Sequence, residues 1–436
     1  MQATEKNTAL VWFTNNLRAH DNRVLNDACS NHEHVIGVYF LDPQTFTTEQ
    51  FGFKKIDKFR AQFLLETLQE LTENLAAINI SLLIQKNSAS ECLPELVERY
   101  AVDSIYHLKE WTSEEQNLLR TVKKKLPNHI KLHSFYDQFL ISPEDIKLPV
   151  KEIPLVFTQF RKWVEKHCTT QKPLKPISKL PSNLIASDIT LAKLEELGFS
   201  ELTSNTKSAF PFKGGENQAL DRIEHYFFQT KKLGVYKKTR NGLLGPDYSS
   251  KLSAWLANGS ISARSIYKKV KEFERDYYAN QSTYWLIFEL FWRDYFKYIS
   301  LKFANDIFKK DGILKKEMPD ETDSEVVRTW IEGRTKDAFV NANMIELQKT
   351  GWMSNRGRQN VASYFSRTLK QDWRIGAAYF ESLLIDYDVH SNYGNWMYVA
   401  GVGNDPRSRV FNCKLQAERY DSDGRFRRHW LQTKLF

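Results

Sequence analysis

The first third of the chain alternates between two hydrophobic periods, and this alternation restricts the fold more than any other feature. Short apolar runs rich in β-branched and aromatic residues occur between residue 8 and about residue 135: ALVWF, HVIGVYF, ISLLI, SIYHL and a weaker IKLHSF. Between the second and third runs, apolar side chains recur at helical spacing on a segment that starts near Ile56. Strands that alternate with helices form βαβ units. The pattern therefore predicts an α/β domain with a parallel, doubly wound, Rossmann-like sheet covered on both faces.

The pattern changes twice after this segment. It weakens between residues 136 and 213, where the proline- and lysine-rich stretch QKPLKPISKLPSN is typical of an extended connector and LVFTQFRKWVEKH of a short helix. Beyond GGE at 214–216 the apolar residues recur at helical spacing to the end of the chain. We therefore predict an α/β domain at 1–135, a connector with short helices at 136–213 and an all-α domain at 214–436. GxGxxG and GxxxxGK[ST] motifs are both absent, which excludes the common dinucleotide fingerprint and phosphate loop.

Charge and cysteine usage limit the partners and the compartment. The formal net charge of +9 favours a polyanionic partner or only high solubility, and charge alone does not separate the two. The four cysteines are scattered without a CxxC pair, so neither a disulfide framework nor a metal site is predicted. No run of 18 apolar residues occurs, and only about eight polar residues precede the first predicted strand. We expect a cytoplasmic, metal-free monomer that does not enter a membrane.

Polar side chains of several kinds share one face of a predicted helix that Ser354 caps. Asn355, Arg358 and Gln359 fall at i, i+3 and i+4 on this helix. A second polar group follows the apolar run SLLI: Asp386, Asp388 and Asn392. Solvated helix ends would explain any one of these residues. Because they occur together, we expect a face turned towards a bound polar ligand.

An aromatic stripe with a carboxylate in its middle runs along another predicted helix. Trp285, Glu289, Trp292 and Phe296 fall at i, i+4, i+7 and i+11, and Glu289 and Arg293 have the spacing of an i,i+4 ion pair. Such a stripe is more often core than site, but a buried carboxylate must be paired or used. Rings beside a carboxylate would suit a flat heterocycle, whose faces stack while its N–H edge meets Glu289.

A serine-rich turn, GLLGPDYSSKLS at 242–253, forms a third candidate element. Its serines and Lys251 offer hydroxyl, amide and ammonium donors to a diphosphate at a helix start. Arg240 and two preceding lysines add positive charge. Turns of this composition are also common on surfaces, so the turn indicates a phosphate site only together with the other elements.

Together these stretches resemble the photolyase–cryptochrome family, and its DASH branch most of all. The similarity spans about residues 8–425. The segments that carry it are FTQFRKWVE (157–165), FKGGE (212–216), YKKTRNGLLGPDYSSKLS (236–253), NQSTYWLIFELFWRDYF (280–296), WMSNRGRQNVASYF (352–365) and LLIDYDVHSNYGNWMYVAGVGNDPR (383–407).

The resemblance implies an α/β antenna domain and a helical domain that holds FAD. The residues that it assigns to FAD are Tyr236, Ser249, Ser250, Lys251, Leu252, Ser253, Arg293, Arg358, Asp386, Asp388 and Asn392. Within this set it implies that Arg358 pairs with Asp386 and that Asn392 lies beside flavin N5. In DASH proteins the antenna is usually methenyltetrahydrofolate, and Glu110 in KEWTSEE is the candidate contact.

The resemblance also implies a reaction. In photolyases, light drives an electron from reduced flavin to a cyclobutane pyrimidine dimer flipped out of DNA, the dimer splits, and the electron returns. The residues that would face the dimer are Arg240, Glu289, Trp292, Asn355, Gln359 and Tyr398. DASH members resemble single-strand-selective repair enzymes, since flipping costs least from an unpaired strand. The alternative is a blue-light receptor with the same flavin. A 6-4 photolyase is disfavoured because Ser354 stands where that chemistry needs histidine.

The tryptophan chain that reduces the flavin in this family is incomplete. Trp396 and Trp373 match its first two members, whereas the third position holds Asp320, and no tryptophan occurs between Trp292 and Trp330. This predicts inefficient photoreduction of oxidised FAD. Elsewhere the chain departs from the family pattern at Thr14, Asn16 and Asn341.

Overall fold

The apolar runs of the first third form a five-stranded parallel sheet. A computed structural model describes residues 8–181, 183–185, 191–203, 205–318, 322–405, 407 and 410–432, so Asp320 lies outside the described residues. The sheet strands are β1 (Thr8–Trp12), β2 (His34–Phe40), β5 (Leu82–Gln85), β6 (Val102–Leu108) and β7 (Lys131–Phe135). Their order is β5-β2-β1-β6-β7 with all pairs parallel. Counted within the sheet this is 3-2-1-4-5, which confirms the predicted Rossmann-like fold.

Helices cover both faces of this sheet. They are α1 (Arg23–Asn31), α2 (Pro43–Thr47), α3 (Lys58–Ala77), α4 (Ala89–Arg99) and α5 (Ser113–Lys125). Side chains of α1 and α3 build the core on one face, and side chains of α4 and α5 build it on the other. The sequence analysis missed a small antiparallel hairpin before α3, formed by β3 (Glu49–Gln50) and β4 (Phe53–Lys54).

The chain from residue 136 onwards is helical apart from its loops. Its helices are α6 (Phe157–His167), α7 (Glu216–Ile223), α8 (Tyr236–Thr239), α9 (Ser253–Ala257), α10 (Ala263–Asp276), α11 (Gln281–Phe303), α12 (Ser324–Ile331), α13 (Ala338–Thr350), α14 (Asn355–Ser363), α15 (Trp373–Leu383), α16 (Val389–Ala400), α17 (Cys413–Tyr420) and α18 (Arg425–Leu431). One large apolar core joins α6 to these helices, with α11 near its centre. Ser354 caps α14 as predicted, because its side chain accepts the N–H of Gly357 at 3.0 Å.

Two π-helical turns extend helices of this domain. Glu224–Gln229 continues α7 and Tyr364–Thr368 continues α14. π-Turns are rare and are often found near functional sites. No period in the sequence predicts them.

A buried cluster of four charges joins the sheet to α10. The Arg264 guanidinium lies 2.9 Å from Asp21 and 2.7 Å from Asp137, and Asp137 also accepts from Arg18. All four side chains are nearly inaccessible to solvent, and they come from the loop after β1, the loop after β7 and the helical domain. Each carboxylate therefore has a cationic partner across the domain boundary, as a buried charge requires.

The described residues contain no helix that is long and apolar enough to cross a bilayer. All four cysteines are free thiols.

Candidate functional site

A cavity of ≈ 250 Å³, here called the central cavity, lies within the helical domain, and an extension of ≈ 80 Å³ reaches α16. The residues that line it include Tyr236, Ser249, Ser250, Lys251, Leu252, Ser253, Arg293, Arg358, Asp386 and Asp388, and Asn392 lines the extension. The fold thus brings together all the side chains that the resemblance assigns to FAD.

The serine-rich turn owes its shape to a residue that no sequence motif marked. Arg222 of α7 is buried and donates to the carbonyls of Pro246, Ser249 and Ser250 at 3.0–3.2 Å, and to the Asp247 carboxylate at 2.7 Å. Because these carbonyls are held by Arg222, the turn is left with amide and hydroxyl donors for a ligand. Such a set of donors suits a phosphate.

The ammonium of Lys251 has no hydrogen-bond partner among the described residues. Its Nζ is buried 3.3 Å from the centre of the Tyr248 ring and 4.7 Å from that of Trp352, and burial lowers the pKa of Lys251 well below its usual range. Behind it lies Glu346, whose two oxygens are also buried without partners, and burial raises the pKa of Glu346 to about 8. An anionic group in the cavity would supply the acceptor that Lys251 lacks, so the residues present fit a diphosphate.

Two carboxylates and their cations form the other side of the central cavity. Arg358 donates to both oxygens of Asp386 at 2.9 and 3.0 Å, the pair that the resemblance implies. Asp388 lies 2.7 Å from the Lys297 ammonium. Burial by itself would raise the pKa of Asp388, but the nearby positive charges, Lys297 foremost and Arg293 with it, together outweigh burial and hold this pKa well below its usual range. Asp388 therefore stays ionised at neutral pH.

The orientation of Asn392 leaves an acceptor facing the extension. Its Nδ2 donates to the carbonyl of Ala377 at 3.0 Å, and the residue is buried. The free Oδ1 can then accept an N–H from a ligand in the extension. A flavin ring with a protonated N5 presents such a donor.

A larger cavity of ≈ 720 Å³, here called the outer cavity, adjoins the central cavity. The two share Arg240, Glu289, Arg293, Asn355 and Ser391 as lining residues. The residues predicted to face DNA all line the outer cavity: Arg240, Glu289, Trp292, Asn355, Gln359 and Tyr398. Its volume is in the range that binds organic ligands.

The predicted ion pair between Glu289 and Arg293 is wrong. Glu289 pairs with Arg240 instead, with Oε1 and Nη2 2.8 Å apart, while Arg293 donates to the carbonyls of Gln138 at 2.5 Å and Leu256 at 3.0 Å. The exchange gives every group a partner, because Arg240 pairs with the carboxylate while Arg293 satisfies the carbonyls of two buried residues. Burial raises the pKa of Glu289, and the charge of Arg240 opposes this shift.

The aromatic stripe of α11 lines the outer cavity. Trp292 is half-buried, stacks on Phe157 at 3.7 Å between ring centres and meets Tyr398 edge-on at 6.1 Å and 90°. Phe157 thus fixes the Trp292 ring, and Trp292 and Tyr398 form two perpendicular walls. The sequence motif FTQFRKWVE contains Phe157 but does not reveal this role.

The two tryptophans predicted to transfer electrons, Trp396 and Trp373, are both buried. Trp396 lines the extension beside Asn392, and its Cη2 lies 2.2 Å from where a β-carbon of Gly376 would be, so only glycine allows this packing. Trp373 lies one turn before Gly376 on α15, is fully buried, and donates its indole N–H to the carbonyl of Lys310 at 2.9 Å. The path from the extension through α15 thus passes close to the backbone at residue 310.

A third cavity, of ≈ 480 Å³ and here called the interdomain cavity, lies where the strand order of the sheet reverses. Asn15 follows β1, Glu110 follows β6, and both line it together with Lys297 and Asp388 of the helical domain. Ligands of doubly wound sheets bind at such switch points. Burial, and then repulsion from Glu115, raise the pKa of Glu110. Since Asp388 also lines the central cavity, the two cavities share a wall.

No three His, Cys, Asp or Glu side chains come together as a metal-binding group in the part of the chain that the structure describes.

Comparison with known proteins identifies the family. Residues 9–179 match the family described as DNA photolyase, and residues 285–434 match the FAD binding domain of DNA photolyase. The chain is 43% identical to the cryptochrome DASH of Gloeobacter violaceus over 97% of this chain and 85% of that protein. It matches the crystal structure of a Synechocystis sp. cryptochrome with a TM-score of 0.94 and 40% identity, over 99% of this chain and 89% of that one.

A more distant solved structure, an archaeal photolyase from Sulfolobus tokodaii with two FAD molecules, matches with a TM-score of 0.77 over 98% of this chain and 90% of that one. At 24% identity it shows the shared fold alone. The chain, with its FAD-binding domain, therefore belongs to the cryptochrome DASH branch of the photolyase and cryptochrome family.

Proposed function

We propose that this protein repairs cyclobutane pyrimidine dimers in single-stranded DNA under blue light, with FAD in the central cavity and the dimer in the outer cavity. The observation that carries the proposal is that the two cavities adjoin, with Glu289 and Asn355 among the residues that line both. When bound and reduced, FAD supplies one electron to the dimer on illumination and recovers it after the cyclobutane ring has opened.

In this proposal the central cavity binds and orients FAD. The serine-rich turn and Lys251 hold the diphosphate, since they provide donors and an unpaired ammonium. The ion pair of Arg358 and Asp386 would contact the flavin as a unit, and the Asn392 Oδ1 would accept an N–H from it. The ion pair also sets the charge beside the flavin, which affects its redox potential.

The outer cavity holds the dimer against the flavin. Glu289 and Arg240, which form an ion pair in this cavity, place polar groups next to a pyrimidine ring that gains negative charge. Trp292 and Tyr398 provide apolar walls for the two bases. The Gln359 side-chain oxygen is buried without a partner among the described residues, and a base N–H would satisfy it.

The polar walls of the outer cavity support a preference for single strands. Flipping a dimer out of a duplex costs a few kcal/mol, whereas a single strand exposes it already. Stacking recovers only about 1–3 kcal/mol per base. By the resemblance, double-strand photolyases carry Met and Trp where this chain has Gln359 and Tyr398, so this cavity is more polar and recovers less of the flipping cost.

The proposal is tested with chemically reduced protein, blue light, and one dimer placed either in oligo(dT) or in a matched duplex. We expect much faster repair in the single strand. Glu289→Ala should lower the repair yield with unchanged FAD content, while Glu95→Ala on the exposed face of α4 should behave as wild type. Equal repair of both substrates would contradict the single-strand preference. A protein that binds FAD but repairs neither substrate would instead be a blue-light receptor.

We also propose a second, light-harvesting chromophore in the interdomain cavity, with methenyltetrahydrofolate as the first candidate. Glu110 is half-buried there and suits the N–H edge of a pterin ring. Absorption spectra and chromatography of the released chromophores distinguish folate from a second flavin. Glu110→Ala should remove the folate band and leave the FAD content unchanged. A folate band of wild-type height in this variant would contradict the assignment.

A further inference from the structure

We propose that Trp285 forms a stacking site for the base next to the dimer. The protein then binds the single strand beside the lesion as well as at the lesion itself. This inference rests on the proposed function, because it assumes that the outer cavity receives DNA. It adds a contact at the rim of that cavity that acts on the strand and not on the reaction.

The geometry begins with a stacked pair on α11. The rings of Trp285 and Phe288 lie 4.6 Å apart at 25°, both are half-buried, and both line the outer cavity. Trp285 lies on the same helix face as Glu289 and Trp292 but one to two turns nearer the start of α11, and Phe288 lies one turn before Trp292. A strand whose dimer lies between Trp292 and Tyr398 can therefore bring an adjacent base to Trp285.

Positive charge accompanies this pair, as a nucleic-acid strand requires. The Lys237 ammonium lies 4.4 Å from the centre of the Trp285 indole and donates to Gln281 at 2.8 Å. Arg161 lies 5.8 Å from the Phe288 ring centre. Aromatic rings with adjacent cations are the elements that bind single strands, the rings through stacking and the cations through phosphates.

The Lys237 ammonium lies over the face of the Trp285 indole, in the place that a stacked base would occupy. We infer that a base takes this position when the strand binds, and that the lysine then pairs with the phosphate of that nucleotide. Both partners of Lys237, a neutral amide and a ring, are weaker than a phosphate, so the exchange is favourable. A nucleotide in a single strand binds this site better than one in a duplex, because its base is free to stack.

Binding in the dark tests the site without any photochemistry. Fluorescence anisotropy with undamaged labelled oligo(dT) should show about tenfold weaker binding for Trp285→Ala, as expected for one stacked base. Trp285→Phe should restore most of the affinity. Phe51→Ala removes an exposed ring that does not line the outer cavity and should bind as wild type. Lys237→Gln should weaken binding and lower the slope of log K against log salt concentration by about 0.7.

A comparison of two repair substrates then separates the contribution of the flanking base to binding from that of the dimer. For Trp285→Ala, we expect the loss of apparent affinity to be at least fivefold larger for a dimer within oligo(dT) than for the isolated dinucleotide dimer. Equal losses on the two substrates, or wild-type binding of oligo(dT) by the variant, would overturn the inference. If wild type binds oligo(dT) through Trp285 but repairs no dimer, the proposed function fails and the strand-binding site stands.

Discussion

Glu346 is a buried carboxyl group whose protonation links the central cavity to the stability of the fold. The unfolded chain loses this proton near pH 4.5, whereas the folded protein keeps it to about pH 8. In the FAD-free protein, each rise of one pH unit between pH 4.5 and 8 therefore lowers the free energy of unfolding. One unit of pKa difference corresponds to about 1.4 kcal/mol, so a few kcal/mol of the free energy of unfolding is lost across the window.

Glu346→Gln removes this titration. Without FAD, we expect the variant to melt at a higher temperature than wild type at pH 8, with a difference that shrinks as the pH falls towards 4.5. Thermal melts between pH 5 and 8.5 measure it, with the exposed Glu332→Gln as the matched control. A difference between Glu346→Gln and wild type that does not change with pH would mean that Glu346 is ionised in the folded protein.

The ion pair of Arg358 and Asp386 gives a second prediction at this scale. Asp386→Asn leaves Arg358 without its charged partner, so the guanidinium is no longer held in the geometry that faces the central cavity. We expect at least tenfold weaker FAD binding, measured by titrating apoprotein and following flavin fluorescence. Asp423→Asn, at an exposed pair, should bind FAD normally. Unchanged affinity in Asp386→Asn would show that the pair does not hold the flavin.

Individual residues show which contacts could be predicted from the sequence and which could not. The N-cap of α14 depends on neighbours three residues apart, so Ser354 could be predicted. Glu289 could be recognised as a carboxylate that needs a partner, but its partner Arg240 comes from another helix and only the fold selects it. Arg222 shapes the serine-rich turn from 24 to 28 residues away and carries no local signal.

At the scale of elements, the period of the apolar residues fixed most of what could be predicted. Each of the five predicted runs became a strand, and the central strand β1 is buried on both faces, whereas the edge strand β7 from the weakest run is partly exposed. The strand order depends on pairings between distant segments, and it decides that Asn15 and Glu110 meet at one cavity. The hairpin β3–β4 and the π-turn after α14 are too short to produce a period.

The packing of α15 against α16 leads to a prediction about photoreduction. Trp396 and Trp373 are both buried, and the position that would continue the chain holds Asp320, which an oxidised tryptophan cannot oxidise. The hole should therefore return to the flavin before it reaches solvent. We expect slow photoreduction of bound FAD, followed by absorbance at 450 nm under blue light with an external reductant. Trp396→Phe should abolish it, and Asp320→Trp should accelerate it.

Repair after chemical reduction is the control for these variants, since it does not use the tryptophan chain. Asp320→Trp should repair as wild type. If wild type photoreduces rapidly and Asp320→Trp makes no difference, another side chain completes the path. Tyr393, whose ring centre lies 6.0 Å from that of Trp373, is then the residue to replace by Phe.

At the scale of the whole molecule, the four buried charges hold the sheet domain against the helical domain. Arg264 is the member contributed by α10, and it pairs with both Asp21 and Asp137, while Arg18 supplies the second positive charge. The interdomain cavity is lined by residues of both domains and shares a wall with the central cavity. Its shape therefore depends on this contact between the domains. The division of the chain near residues 135 and 214 stays a prediction, because a boundary is a statement about independent folding.

Arg264→Ala tests how strongly the domains are coupled. It leaves two buried carboxylates with Arg18 alone, and removing one partner of a buried charge pair costs about 3–5 kcal/mol. We expect a lower unfolding midpoint in urea and a transition that separates into two when tryptophan fluorescence and flavin release are followed together. Arg275→Ala changes an exposed arginine of the same helix and should unfold as wild type, since its pair with Asp276 is solvated. If the two variants unfold alike in one transition, the cluster does not hold the domains together, and the apolar contacts between them must be sufficient.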